Sequence, residues 1–133
     1  MALLARSFES KVAFIEAVRA QTKGLALRVI ALHRELPVSE ESRVIGRQLL
    51  RSATSVAANY RAVSRARSAA EHLAKLSICV EEADETLFWL ELLVEAQLVP
   101  LHRLSSLCDD YDQIIAILAT ARKTAKAAKN PST

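Results

Sequence analysis

Apolar residues recur along most of this chain at spacings of three, four and seven, which is the period of amphipathic helices. Interruptions of this pattern divide the chain into four segments. The sequence therefore predicts helices over about residues 8–36, 42–63, 69–98 and 102–128. Four long helices with short connections predict an all-α fold, in which residues 1–133 form a single domain as an antiparallel up-down four-helix bundle.

The predicted helix ends carry recognisable stop and start signals. Pro37 ends the first segment and Pro100 ends the third, because proline cannot continue a helix. Ser39 or Ser42 is a candidate N-cap for the second helix, and Ser68, with a glutamate three residues later, is the candidate for the third. The helix boundaries thus follow from local sequence alone.

Three strips of different character run along the second predicted helix. The apolar strip predicted to face the core comprises Ile45, Leu49, Ala53, Val56, Ala57, Tyr60 and Val63. A basic strip on the far side comprises Arg43, Arg47, Arg51, Arg61 and Arg65. Along one border run the neutral hydrogen-bonding residues Gln48, Ser52, Ser55 and Asn59. Small polar residues at this spacing indicate a contact with another helix or subunit, or alternatively a ligand surface.

The third predicted helix has apolar residues on two sides. The predicted core stripe comprises Leu73, Leu76, Val80, Ala83, Leu87, Leu90, Val94 and Leu98. A second stripe comprises Ile78, Glu82, Glu85, Trp89, Leu92 and Leu93. Because large exposed apolar patches usually mark interfaces, this second stripe predicts contact with another subunit. Glu82 and Glu85 would then need hydrogen-bonding or basic partners. The second helix offers five candidates, which are Arg51, Arg61, Ser52, Ser55 and Asn59. The alternative is that both glutamates are solvated.

Composition agrees with a helical, globular chain. Of 133 residues, 51% are hydrophobic and 25% are charged, with only two glycines and three prolines. Cys79 and Cys108 have no metal-ligand spacing, so reduced, packed thiols are expected. The N-terminal apolar run is too short for a secretory signal, and no segment has the length of a membrane span, so the sequence predicts a cytoplasmic protein without membrane contact.

Charge is segregated along the chain. Residues 43–75 carry seven basic groups against one acid, and residues 81–112 carry nine acids against one arginine. The segment 122–129 is basic again. Such segregation either serves a charged ligand or allows one helix to neutralise another.

The sequence predicts neither an enzyme nor a cofactor or metal. No Glu-x-x-His pair of a di-metal bundle is present, and the three histidines lie on different predicted helices. There is no phosphate-binding glycine loop or nucleophile elbow. His72, in the first turn of the third helix, is expected to be a surface or boundary residue.

Two stretches, "GRQLLRSATSVAANYRAVSRARS" and "LAKLSICVEEADETLFWLELL", resemble a known family. They are similar to small bacterial four-helix-bundle proteins encoded in intervening sequences of 23S ribosomal RNA genes. The most specific positions are Arg51, Ser52, Ser55, Asn59, Arg67, Glu82, Glu85 and Trp89. The resemblance implies a ring-like homopentamer and distant kinship with the accessory variability protein of diversity-generating retroelements, which associates with nucleic acid and a reverse transcriptase. His72 and the pair Ala62–Val63 depart from the family pattern.

The sequence therefore leads to two hypotheses of function. In the first, a homo-oligomeric bundle binds RNA or DNA, and a nucleic-acid-processing protein could be a further partner. The residues expected to contact phosphates are Arg43, Arg47, Arg61, Arg65 and Arg67. Those expected to hold the fold or the oligomer are Arg51, Ser52, Ser55, Asn59, Glu82, Glu85 and Trp89.

In the second hypothesis, the protein is an adaptor without affinity for nucleic acid, and its arginines pair with acids of a neighbouring subunit.

Overall fold

Four long helices make up the fold. The computed structural model describes residues 2–129, and their side chains from residue 10 onward, so the side chain of Phe8 and the segment 130–133 lie outside it. The helices are α1 (Ala2–Arg34), α2 (Glu40–Val63), α3 (Ala69–Glu95) and α4 (Leu101–Lys129), with no strand among the described residues. None of these helices has the combination of length and apolar character that crossing a bilayer requires.

The ends of the helices show how local sequence sets their lengths. Ser39 caps α2 by accepting a hydrogen bond from the backbone N–H of Ser42, and Ser68 caps α3 in the same way. The predicted end of the third helix at residue 98 is three residues too late. Gln97 adopts a left-handed conformation, with φ of 61°, and the N–H groups of Leu98 and Val99 both donate to the carbonyl of Leu93. This turn ends α3 before Pro100 is reached.

Contacts between side chains fix the directions of the helices. On α2 and α3, Ser52 meets Thr86, and further along α2 Val56 meets the earlier α3 residue Cys79, so these two helices are antiparallel. Helix α1 likewise runs antiparallel to α4, through ion pairs of Arg28 with Asp110 and of Glu35 with Arg103. Each helix packs against two others, and the diagonal pairs α1–α3 and α2–α4 have no close backbone contact within the described residues.

Rows of buried residues at alternating spacings of three and four form the core. On α3 this row is Leu76, Cys79, Ala83, Thr86, Leu90 and Leu93, and on α4 it is Leu104, Leu107, Tyr111, Ile114 and Leu118. Such 3.5-residue spacing is the pattern that packs nearly parallel or antiparallel helices side by side. The apolar strip predicted for α2 faces this core, with Ala57 at its half-buried edge.

The predicted core stripe of α3 is corrected by the structure. Leu93 was expected on the second stripe and is fully buried. Five residues expected in the core are only half-buried, and these are Leu73, Val80, Leu87, Val94 and Leu98. Because α3 packs against both α2 and α4, it buries a wider arc than one apolar stripe, and the centre of that arc lies between the two stripes. Part of the second stripe is therefore explained by contact with α2 inside one chain.

The two glycines occupy contrasting sites. A Cβ atom at Gly46 would lie 2.8 Å from Leu36 Cδ1 and 3.1 Å from His33 Cδ2, so α1 and α2 approach closely there. A Cβ atom at Gly24 would meet nothing within 4 Å. The first glycine is required by packing and the second is not.

We expect the substitution Gly24→Ala to raise the free energy of unfolding by about 0.5–1 kcal/mol, because alanine has the higher helix propensity and meets no obstacle. Gly46→Leu should lower it by about 1–3 kcal/mol, because the new side chain would overfill the contact with α1. Urea unfolding followed by circular dichroism measures both. Equal effects of the two substitutions would contradict this assignment.

Candidate subunit and nucleic-acid interfaces

A network of charged side chains joins α2 to α3 on the outside of the bundle. The guanidinium of Arg51 donates to Glu82 Oε2 at 3.1 Å, to Glu85 Oε2 and, within its own helix, to Gln48 Oε1 at 3.1 Å. The indole N–H of Trp89 donates to the same oxygen of Glu85 at 3.2 Å. Both glutamates expected to need a partner on α2 thus share one arginine, and Arg61 is not part of the network.

Beneath this network lies a contact between small hydroxyl side chains. Thr86 Oγ1 lies 2.8 Å from Ser52 Oγ and 2.8 Å from the carbonyl oxygen of Glu82, and both hydroxyl residues are fully buried. Further along the border strip, Asn59 Nδ2 donates to the carbonyl and hydroxyl oxygens of Ser55 at 2.9 and 3.0 Å. Within one chain, Ser52 therefore serves the α2–α3 contact, while Ser55 and Asn59 are bonded within α2 and remain partly accessible.

The aromatic side chains of α3 lie beside the charged network. Trp89 packs partly on the core, and its ring makes an edge-to-face contact with Phe88, with centroids 4.9 Å apart. Phe88 is 52% exposed. Phe88 belongs to neither stripe predicted for the third helix. Its position among four acids at helical spacing nevertheless distinguishes it in the sequence as an apolar residue on the solvent side.

The predicted phosphate-contacting arginines all lie exposed on the outside. Arg43 pairs with Glu40 in its own first turn, and the largely exposed Arg67 lies 3.9 Å from Glu71. Arg47, Arg61 and Arg65 form no ion pair with any residue in the described part of the chain. At about 1.5 Å per residue, Arg47 and Arg61 lie about 21 Å apart along α2, and Arg65 follows in the turn after Val63. The face they form is open to an acidic ligand.

The acids of residues 81–112 do not neutralise this basic face within one chain. Of the nine acids in this segment, only Glu82, Glu85 and Asp110 form ion pairs with described residues, and their partners are Arg51 and Arg28. The other four acids of residues 81–95 are exposed on the outer side of α3, and these are Glu81, Asp84, Glu91 and Glu95. Charge segregation in the sequence thus becomes a basic surface on α2 and an acidic surface on α3.

The thiols and histidines are not assembled into a reactive group. Burial raises the pKa of the Cys79 thiol to about 12, and burial, reinforced by nearby Glu91, raises the pKa of Cys108. Both cysteines are free and hold their protons at neutral pH. His72 is half-buried at a groove between α1 and α4, and no three potential metal ligands come together among residues 2–129.

The fold and these surfaces define a class of protein, a four-helix bundle with a polar network between α2 and α3 and opposite charges on their outer sides. The family profile described as "23S rRNA-intervening sequence protein" matches residues 17–120, and the chain belongs to this family. It is similar to a protein of unknown function from the S23 ribosomal protein family of Bacteroides thetaiotaomicron, with 32% identity and a TM-score of 0.74. The match covers 82% of this chain and 97% of that one. No curated protein matches the sequence.

We predict that Glu85→Ala lowers the free energy of unfolding by about 1–2 kcal/mol, beyond the ~0.5 kcal/mol typical of surface changes. The substitution removes the acceptor of both the Arg51 guanidinium and the Trp89 indole. Asp112→Ala, on α4, where the carboxylate is exposed and forms no ion pair with a described residue, is the control and should stay within about 0.5 kcal/mol of the wild type. Equal values for the two variants in thermal or urea unfolding would mean that Glu85 is effectively solvated.

Proposed function

We propose that this protein is a non-enzymatic homo-oligomer, a ring-like pentamer, that binds RNA or DNA through α2 as a nucleoprotein scaffold. The observation that carries the proposal is the row formed by Arg47, Arg61 and Arg65, which is exposed and without acidic partners in the described chain. Arginine forks bind phosphate oxygens bidentately, and several in one row follow a polynucleotide backbone. A ring repeats the row in every subunit and so multiplies weak single contacts.

Self-association is supported by apolar groups that one chain leaves uncovered. Phe88 is 52% exposed and Leu27 is 58% exposed, and Trp89 and Leu92 are covered only in part. Large apolar side chains at the surface lose water favourably when a second copy covers them. The sequence resemblance to a pentameric family adds the expected subunit number.

The proposal of a scaffold rather than an enzyme is supported by the chemistry of the side chains. The thiols are protonated at neutral pH because burial raises their pKa values. A groove of about 780 Å³ between α1 and α4 is lined mainly by apolar side chains such as Phe14, Ile117 and Ala121. A site for acid–base or nucleophilic catalysis would instead gather titratable groups.

For self-association, we predict that Trp89→Ala lowers the sedimentation mass of the protein toward that of a single chain. The substitution removes the largest partly exposed apolar side chain of α3. Val38→Ala, which truncates a fully exposed residue in the α1–α2 connection, is the control and should keep the mass of the wild type. A Trp89→Ala variant that is helical by circular dichroism but has unchanged mass would remove this tryptophan from the interface.

For nucleic acid, we predict that single-stranded and duplex RNA bind with an affinity that falls steeply as salt rises. Replacing Arg47, Arg61 and Arg65 together by alanine should weaken binding at least tenfold and reduce the log–log salt slope by about one unit for each lost phosphate contact. Arg103→Ala is the matched control, because this arginine already pairs with Glu35. Fluorescence anisotropy at several salt concentrations gives both quantities. Absence of binding at low salt would leave the adaptor hypothesis.

A further inference from the structure

We propose that α1 of one copy docks on the outer side of α3 of a second copy, so that subunits join head to tail. This inference rests on the proposed self-association and names the two surfaces that make it. The α1 outer row consists of Ala13, Ala17, Ala20, Gly24, Leu27 and Ala31. The α3 outer row consists of Glu81, Asp84, Phe88, Glu91 and Glu95.

The α1 outer row is apolar and accessible, and the unpaired charges beside it are positive, because the neighbouring Glu16 and Glu35 pair with Arg19 and Arg103. Its members alternate at spacings of four and three residues, the pattern of a helix face that packs along another helix. Five of the six are exposed and Gly24 is half-buried, and Leu27 projects from the middle. Lys23 and Arg34 stand exposed beside the row, and neither forms an ion pair with a described residue.

The α3 outer row has the complementary character. Its four acids are exposed and make no ion pair with any residue in the part of the chain that the structure describes. Phe88 stands between the two pairs of acids and is half-exposed. The α3 outer row thus has acids on both sides of Phe88, and the α1 outer row has bases on both sides of Leu27. The two rows are therefore complementary in charge and in apolar contact.

The register of the bundle brings these features to matching heights. Gly46 of α2 lies against His33 of α1, and six residues further along α2, Ser52 meets Thr86 of α3. Helix α2 is antiparallel to both neighbours, so moving back six residues along α2, from Ser52 to Gly46, moves forward six residues along α3, from Thr86 to Leu92. Gly46 is therefore level with Leu92, and so is His33, which lies against Gly46. Helices α1 and α3 run in the same direction, so this correspondence holds along their length.

Two copies side by side at the same height would therefore match their charges and apolar groups. Lys23 of one copy stands level with the segment 81–84 of the other, and Leu27 stands within one turn of the level of Phe88. Arg34 stands level with the segment 91–95. Ion pairs at both ends of an apolar contact fix the register as well as the partner, because a shift by a few turns would separate the charges.

Because the two rows lie on different sides of the bundle, the same contact can form between each copy and the next. Helices α1 and α3 occupy diagonal corners of the bundle, so each copy can use α1 toward one neighbour and α3 toward the other. Such a head-to-tail contact closes into a ring when the rotation between neighbours divides a full turn. Arg47 and Arg65 belong to neither row, and Arg61 lines a groove with Ala20 and Lys23 at the edge of the α1 outer row.

Charge reversal tests the pairing. The variant Lys23→Glu/Arg34→Glu should raise the dissociation constant of the oligomer at least tenfold in sedimentation equilibrium, and so should Glu81→Lys/Glu91→Lys. All four substitutions in one chain restore opposite charges across the contact and should recover most of the wild-type association. Lys123→Glu/Lys126→Glu on α4 is the control of equal charge change and should leave the mass unchanged.

Three results would overturn the pairing. One is a wild-type protein that is oligomeric while both double variants keep its mass, which leaves the proposed self-association intact but places the interface elsewhere. Another is failure of the four-substitution chain to associate although circular dichroism shows it to be helical. The last is a wild-type chain that sediments as a single copy at all concentrations, which removes the proposed self-association as well.

Discussion

The close contact between α2 and α3 is the constraint on which the rest of the structure depends. Its seam is made of small side chains, since Ser52, Ala53, Cys79, Ala83 and Thr86 are all fully buried there or beside it. Small residues let two helix backbones approach, and the buried hydroxyls satisfy one another and nearby carbonyl groups. Larger side chains at these positions would separate the helices and leave polar atoms buried without partners.

The close approach also explains the polar network above the seam. With α2 and α3 drawn together, one guanidinium reaches two carboxylates on the neighbouring helix, and the tryptophan of α3 bonds to one of them. Exposed ion pairs taken singly contribute little to stability, but a shared arginine and an indole donor make each partner depend on the others. The network thereby holds Trp89 at the border between the core and the accessible side of α3.

Separation of charge between the outer sides of α2 and α3 links the fold to the proposed activities. Arginines without acidic partners on α2 are suited to phosphate, and acids without basic partners on α3 are suited to the bases beside α1 of another copy. Because the two surfaces lie on different helices, the proposed self-association and the proposed binding of a polynucleotide use different residues. The adaptor hypothesis differs only in what the α2 arginines meet.

Local sequence determined the number of helices, the N-caps of α2 and α3 and the core face of α2, because helical periodicity and serine caps act within a few residues. It placed the centre of the α3 core wrongly and overlooked Phe88, because a helix with two neighbours buries an arc whose centre depends on where those neighbours stand. Only the tertiary structure decided that Arg51, rather than Arg61, reaches both glutamates, and that Lys23 and Glu81 share a height. Both depend on the register between helices, which arises from packing at sites such as Gly46 and Ser52, far from one another in sequence.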